Sequence, residues 1–95
     1  MKVRFLNEDC ELVTSQYTNG RNGRTCLRLV GEDGCPMATC TVNLPDEELR
    51  VGYVFIKDWS ENAGMACALR IAGAVEFTGR EVRTGYATAY EAKVL

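Results

Sequence analysis

The side chain best suited to acid–base and metal chemistry at neutral pH is missing from this sequence of 95 residues, which contains no histidine. Histidine titrates near neutrality and is the commonest metal ligand, so Ser-His-Asp catalysis, Cys-His catalysis and His-ligated zinc are excluded. Catalysis would have to use carboxylates, lysine, tyrosine or cysteine alone. We therefore predict that the protein is not an enzyme and uses no cofactor.

Cysteine is the remaining residue type with a specific metal or redox chemistry. The five cysteines lie at positions 10, 26, 35, 40 and 67. No Cys-x-x-Cys occurs, and the five-residue separation of Cys35 and Cys40 is wider than the ligand pairs of zinc fingers, so we predict no metal site. Nothing near Met1 has the pattern of a signal peptide and no apolar run is long enough to cross a membrane, so we expect a cytoplasmic protein with reduced thiols.

Charged residues are grouped, although the net charge is only −2. The acidic groups are Glu8, Asp9 and Glu11, and Asp46, Glu47 and Glu48. Such groups can bind a basic surface of a partner protein, or they can simply be soluble surface. We take both acidic groups as candidate partner-binding residues.

Arginine and tyrosine form an alternative set of candidate binding residues. Its members are Arg21, Arg24, Arg28, Arg80, Arg83, Tyr86 and Tyr90. Arginine binds phosphate and tyrosine can stack on a base, whereas the net negative charge argues against general affinity for nucleic acid. The structural alternatives are solvated arginines on strands and turns, and tyrosines in the core.

A third candidate is the motif Lys-Asp-Trp-Ser-Glu at residues 57–61. A lysine, a tryptophan and the free N–H groups of a helix N-terminus could hold an anion or an acidic segment of a partner. The same residues are what a strand-to-helix corner requires, and we favour that structural interpretation. The motif comprises Lys57, Asp58, Trp59, Ser60 and Glu61.

Alternation of apolar and polar residues predicts the short strands that must position these groups. They are expected at residues 2–6, 11–18, 24–30, 35–43, 51–57, 75–77 and 85–95. Two Asn-Gly pairs within residues 19–23 predict a hairpin turn between the second and third strands. The most apolar stretch, residues 51–57, predicts a strand covered on both faces. Pro45 is expected to open a short helical turn before it.

One helix is predicted at about residues 60–72. Asp58 or Ser60 would cap it, Glu61 follows Asp58 at capping-box spacing, and Gly73 would end it. The last quarter of the chain predicts a hairpin that turns at residues 78–80. Residues 1–95 are thus expected to form one α+β domain, with a curved antiparallel sheet of five to seven strands, as a meander or partial barrel, and a helix across it.

Residues 56–65 read Ile-Lys-Asp-Trp-Ser-Glu-Asn-Ala-Gly-Met, and Thr-Gly-Arg follows at 78–80 and Thr-Gly-Tyr at 84–86. With these motifs the last forty residues resemble a family of small uncharacterised proteins carried by phages and conjugative elements. In that family a strand ending in Ile-Lys-Asp-aromatic-Ser-Glu-Asn leads into a helix with Gly-Met. The resemblance implies a mobile genetic element in a bacterial host, and it implies no assigned activity.

Three functions from different classes fit these observations. The favoured one is protein–protein interaction, most concretely by an anti-CRISPR or other anti-defence protein that blocks a host nuclease complex. The alternative is a nucleic-acid-binding accessory or regulatory protein of the mobile element. The third is a small-molecule binder or enzyme, for example one that sequesters a nucleotide signal. The sequence leaves open whether the chain forms a homodimer.

Overall fold

The computed structural model describes residues 1–18 and 23–95. It contains seven strands and one α-helix in those residues, which confirms the α+β class. The strands are β1 Lys2–Phe5, β2 Glu8–Gln16, β3 Thr25–Val30, β4 Pro36–Thr39, β5 Tyr53–Lys57, β6 Val75–Thr84 and β7 Ala87–Val94. A 3₁₀ turn, Ser60–Asn62, precedes the helix α1, Met65–Ile71.

The first four strands form an antiparallel sheet in the order β1-β2-β3-β4. The predicted pairing of the second and third strands is confirmed, and the turn predicted at residues 19–23 lies outside the described residues except for Gly23. A second turn joins β1 to β2 at Leu6 and Asn7, which both have positive φ, at 52° and 61°. This turn was not predicted from the sequence, because leucine rarely adopts that conformation.

The other three strands form an antiparallel sheet in the order β5-β7-β6. The two sheets meet through an antiparallel bridge between Thr41 and Ile56. Beside it, the Val42 amide donates to the Phe55 carbonyl at 3.0 Å and the Lys57 amide to the Cys40 carbonyl at 2.8 Å. The predicted curved antiparallel arrangement is therefore present as two joined, open sheets, and only the first is a simple meander.

The helical region lies where it was predicted, but it is not one helix. Gly64, with a φ of 94°, separates the 3₁₀ turn from α1. The predicted capping box between Asp58 and Glu61 is therefore wrong. Asp58 does act as a cap, but it accepts from the amide of Ala66, on the far side of Gly64, at 3.1 Å. Gly73 ends the helix as predicted, because its amide donates to Arg70 and the next amide to Leu69 in a Schellman arrangement.

The final hairpin turns later than predicted. β6 continues through residues 78–80, where the register with β7 shifts at a bulge, and the chain turns at Gly85 and Tyr86. The Thr-Gly-Arg segment resembles a turn in sequence because Gly79 has a φ of 91°, which a bulge also uses. Tyr86 therefore belongs to the turn and does not share a strand face with Tyr90.

The core lies between α1 and the sheets. Met65 and Leu69 of the helix pack with buried residues of both sheets, including Val54 and Ile56 of β5. Phe55 is also buried and points to the opposite side of β5. The predicted burial of this strand on both faces is confirmed. In the described part of the chain, none of the helices has the length and apolar character needed to span a membrane.

Candidate functional site

The second acidic group lies in a loop between β4 and β5, and we call residues 44–48 the acidic loop. The Glu47 amide donates to the Leu44 carbonyl at 3.0 Å, with Pro45 at the second position of the turn. Proline is favoured at that position because its φ is fixed near the value that a type I turn needs. The predicted helical turn is thus a single hydrogen-bonded β-turn.

Arg24 holds the loop from the side of the four-stranded sheet. Its Nη1 donates to the Leu44 carbonyl at 2.7 Å and its Nη2 donates to the Glu47 carbonyl. Both acceptors are backbone atoms, so the guanidinium positions the chain itself and leaves the acidic side chains to other partners.

Arg80 holds the loop from the side of the three-stranded sheet. Nη1 donates to the Glu48 carbonyl at 2.6 Å and Nη2 lies 3.2 Å from Glu47 Oε1. The guanidinium also lies 5.3 Å from the centre of the Phe55 ring. The bulge in β6 makes this possible, because the extra residues turn Arg80 toward the loop.

Glu91 of β7 anchors Arg80 in turn. Its carboxylate is buried and accepts from Arg80 Nη1 at 2.8 Å and from the Thr78 hydroxyl at 2.8 Å, with Arg50 Nη2 at 4.0 Å. Burial alone would raise the pKa of Glu91, but the hydrogen bonds from Arg80 and Thr78 and the charges of Arg80 and Arg50 hold that pKa below its usual value. A buried carboxylate with these partners acts as a structural anion.

We expect the Glu91 contacts to make the stability of the protein depend on pH. Because the pKa of Glu91 is lower in the folded state, its contribution is complete above its ordinary pKa of 4.5 and is lost as the pH falls through the folded value. Urea unfolding at pH 7 and pH 3 should therefore show a larger loss for the wild type than for Glu91→Gln. Equal losses in the two proteins would contradict this.

No family model, curated protein or solved structure matches the chain. The resemblance of residues 56–95 to proteins of mobile elements therefore stays a prediction.

The side chains of the acidic loop are presented outward to different degrees. Asp46 and Glu48 are exposed, and Glu47 is partly covered where it meets Arg80. The charge of the loop thus remains at the surface, although its backbone is held by two arginines.

The first acidic group is arranged differently. Asp9 pairs with Arg4 at 3.0 Å, and Glu11 lies 3.0 Å from the N-terminal amino group and 3.9 Å from Lys2. Glu8 is exposed at the start of β2. Because these ion pairs offset two of the three charges, this group is a weaker candidate for a basic partner than the acidic loop.

The arginine and tyrosine candidates do not act as one set. Arg24 and Arg80 are occupied by the acidic loop, and Arg21 lies outside the described residues. Arg28 is exposed on β3, whereas Arg83 is exposed on β6 of the other sheet. Tyr86 is fully exposed in the turn after Arg83, and Tyr90 is half-buried.

The motif at residues 57–61, which we call the corner motif, makes contacts mainly with its own residues and with α1. Lys57 Nζ lies 3.4 Å from Glu61 and 5.8 Å from the centre of the Trp59 ring, while Asp58 caps α1. The Glu61 backbone amide and the Lys57 ammonium group lower the pKa of Glu61. Ser60 adopts a positive φ of 54° at the corner. These contacts support the structural interpretation of the motif.

Two residues that matter here carry no sequence signal that we recognised. Glu91 follows the polar alternation of an exposed strand face but is buried. Asn62 is also buried, and its Nδ2 donates to the carbonyls of Thr39 at 2.6 Å and Lys57 at 3.2 Å. It therefore ties β4 to β5 beside the corner motif.

The cysteines divide by burial. Cys10, Cys26 and Cys40 are buried, and burial is the main cause that raises the pKa of Cys40 to about 12. Cys35 and Cys67 are exposed. Within residues 1–18 and 23–95, no group of three or more cysteine or acidic side chains is placed to hold a metal ion.

Proposed function

We propose that the protein is a non-enzymatic binding protein whose acidic loop docks on a basic surface of a partner protein. The observation that supports this is the double arginine clamp: Arg24 and Arg80 together donate to the carbonyls of Leu44, Glu47 and Glu48. A loop held in this way keeps its exposed carboxylates in place before binding, so less conformational entropy is lost on association.

The partner that we propose is a nuclease complex of a bacterial defence system, so the protein would act as an anti-CRISPR or related inhibitor. Such complexes bind nucleic acid in basic channels, and a rigid acidic loop on a small domain can occupy a channel of that kind. The resemblance of residues 56–95 to proteins of phages and conjugative elements supports the same proposal.

Reversing the charge of the loop should weaken this binding. In the variant Asp46→Lys/Glu48→Lys, repulsion replaces attraction, and we expect about a tenfold or greater loss of affinity. The matched control, Glu32→Lys/Asp33→Lys, changes the net charge equally at exposed positions outside both acidic groups.

The measurement is a pull-down with tagged protein from a bacterial lysate, followed by inhibition of DNA cleavage by the purified nuclease that is retained. We expect inhibition by the wild type and the control, and weak inhibition by the loop variant. Retention of no defence nuclease, or equal inhibition by both variants, would reject the proposal.

Nucleic-acid binding is the second candidate, and the observation in its favour is that both Arg83 and Tyr86, three residues apart, are exposed. Against it, two of the four described arginines of that set are committed to the acidic loop. Fluorescence anisotropy with DNA and RNA at low salt separates the two functions, because phosphate contacts are strongest there.

A further inference from the structure

β6 lies at the edge of its three-stranded sheet, and the described part of the chain supplies no strand to its outer side. After the bulge the strand is regular, with Glu81 opposite Tyr90 and Arg83 opposite Thr88 of β7. The outer edge of such a strand carries N–H and C=O groups with which another strand can pair. The edge of β6 is therefore a candidate surface for association.

The turn after Thr84 determines which backbone groups point to that edge. It has two residues, and Gly85 has a φ of 64°, as the hairpin turns that suit twisted strands require. The pair that flanks a two-residue turn is hydrogen-bonded, and such pairs alternate with pairs whose backbone groups point away from each other. Val82, like Thr84, therefore bonds to β7. Glu81 and Arg83 direct their N–H and C=O groups to the free edge.

Glu81 and Arg83 are also exposed, and their side chains lie on the same face of the sheet. The residues directly opposite them on β7, Tyr90 and Thr88, carry no charge. Within the hairpin, these two opposite charges thus have no charged residue directly across from them. A strand that is added at the edge meets one negative and one positive side chain.

A second copy of β6 matches both the backbone groups and the charges. When two copies pair antiparallel about a two-fold axis at Val82, Glu81 of each copy lies opposite Arg83 of the other. These residues then form the hydrogen-bonded pairs, because the backbone groups of both point outward. A shift by two residues in either direction brings Glu81 opposite Glu81, or Arg83 opposite Arg83, and like charges directly opposite are destabilising. The charges thus select one register.

We propose that the protein forms a homodimer in which β6 pairs with β6 of a second copy in this register. The two three-stranded sheets become one continuous antiparallel sheet, and the half-buried Val82 side chains meet at the axis. The bulge confines the pairing to residues 80–84, so the interface is small and the association is weak. This inference does not depend on the proposed function.

Tyr86 supplies a second contact in the same arrangement. The register brings the turn that carries Tyr86, which is fully exposed, beside the bulge that contains Gly79 of the other copy. Among the described residues, apart from its chain neighbours, none has an atom within 4 Å of the position that a β-carbon on Gly79 would take. Aromatic rings stabilise edge strands by covering glycines, and each ring has the space to do so here.

The pairing also determines where the two acidic loops lie in the dimer. Each loop lies on the sheet face that carries Phe55, because Arg80 donates to Glu48 from a position 5.3 Å from the centre of the Phe55 ring. A two-fold axis perpendicular to the sheet keeps that face on the same side in both copies. Both acidic loops therefore lie on one side of the dimer.

Analytical ultracentrifugation tests the association. Over about a hundredfold range of protein concentration, up to about 500 µM, the wild type should convert from monomer to dimer by mass action. Glu81→Arg brings an arginine opposite Arg83 and should raise the Kd of the dimer about tenfold or more. The control Glu32→Arg makes the same change in charge at an exposed turn outside β6, and its Kd should stay within about twofold of the wild-type value.

Exchanging the two charges separates strand pairing from a general effect of charge. Glu81→Arg/Arg83→Glu restores opposite charges across the axis, so its Kd should return to within about threefold of the wild-type value. A wild type that remains monomeric, or a Glu81→Arg variant that dimerises as tightly as the wild type, would overturn the inference. Failure of the double variant to recover dimerisation would overturn it as well.

A cysteine at the axis tests the register. Cys35→Ser/Cys67→Ser first removes the exposed native thiols. In that background Val82→Cys places two Cα atoms about 4.5 Å apart in a non-hydrogen-bonded pair, which is within the range of a disulfide. Thr84→Cys, on the same face and also half-buried, places them about 13 Å apart. With oxidised glutathione, the Val82→Cys protein should form disulfide-linked dimers at least about tenfold faster. Equal rates for the two proteins would overturn the inference.

Discussion

Replacing Arg80 with methionine is expected to lower the free energy of unfolding by about 2–3 kcal/mol. The substitution removes both donors to Glu47 and Glu91 and leaves the Glu91 carboxylate, whose side chain is 6% exposed, with a buried charge. Breaking a fully buried pair costs about 3–5 kcal/mol, and the smaller value here reflects the 37% exposure of the Arg80 side chain.

Chemical denaturation of single and double variants tests the cause of this loss. Adding Glu91→Gln to Arg80→Met removes the buried charge that has lost its main partner, so the two effects should be non-additive by about 1 kcal/mol or more. Arg83→Met, an exposed substitution on the same strand, should change stability by less than about 0.5 kcal/mol. Additive effects would mean that Arg80 and Glu91 do not stabilise the fold as a pair.

Arg80 also connects stability to the proposed function. Arg80→Met leaves Asp46 and Glu48 in the sequence but removes the donor to the Glu48 carbonyl. If the rigid loop is the binding element, the folded variant should inhibit the nuclease more weakly than the wild type, as the charge-reversed loop does. Full inhibition by this variant would show that the clamp serves stability alone.

The second large effect is expected at Asn62. Asn62→Ala leaves the carbonyls of Thr39 and Lys57 without this donor in a site where Asn62 is 1% exposed, and we expect a loss of about 2–3 kcal/mol. Asn62→Asp preserves the shape but places a carboxylate against two carbonyl oxygens, so its loss at pH 7 should be larger.

The pH dependence of the aspartate variant makes this prediction specific. A carboxyl group can donate to a carbonyl only when it is protonated, so the deficit relative to the wild type should shrink as the pH is lowered. Urea unfolding at pH 7 and pH 4 measures this difference. Asn7→Asp, at an exposed turn, is the control and should show a small deficit at both values. A deficit for Asn62→Asp that does not change with pH would contradict the hydrogen-bond explanation.

The elements that the sequence predicted well are those with a strong local pattern. Alternation located the four strands of the first sheet, although β2 begins at Glu8 and not at residue 11, and β4 ends at Thr39 and not at residue 43. The apolar run at 51–57 predicted a strand buried on both faces, as β5 is. Gly73 was correctly placed as the end of the helix. Each of these signals depends on neighbouring residues along the chain, so periodicity and backbone preference are sufficient to detect it.

The wrong predictions concern glycines and turns that have more than one use. Gly79 was assigned to a hairpin turn but lies in a bulge, and Gly64 interrupts what was predicted as one helix. A positive φ is compatible with a turn, a bulge or a helix boundary, so sequence alone does not distinguish them. For Gly79, the shifted register between β6 and β7 shows that the glycine lies in a bulge. For Gly64, the Asp58 carboxylate accepts from the Ala66 amide, so the cap belongs to a helix that begins after the glycine.

The acidic loop shows the same division at the candidate site. The sequence identified its three acids and both arginines that hold it, but as two separate and competing binding surfaces. The tertiary structure joined them, since Arg24 and Arg80 donate to backbone carbonyls that are twenty or more residues away in the chain. Every residue has a backbone carbonyl group, so the sequence does not indicate which carbonyl an arginine side chain will bind. Composition and periodicity thus determined the fold class and the candidate residues, and only long-range packing decided which charges support the loop and which remain at the surface.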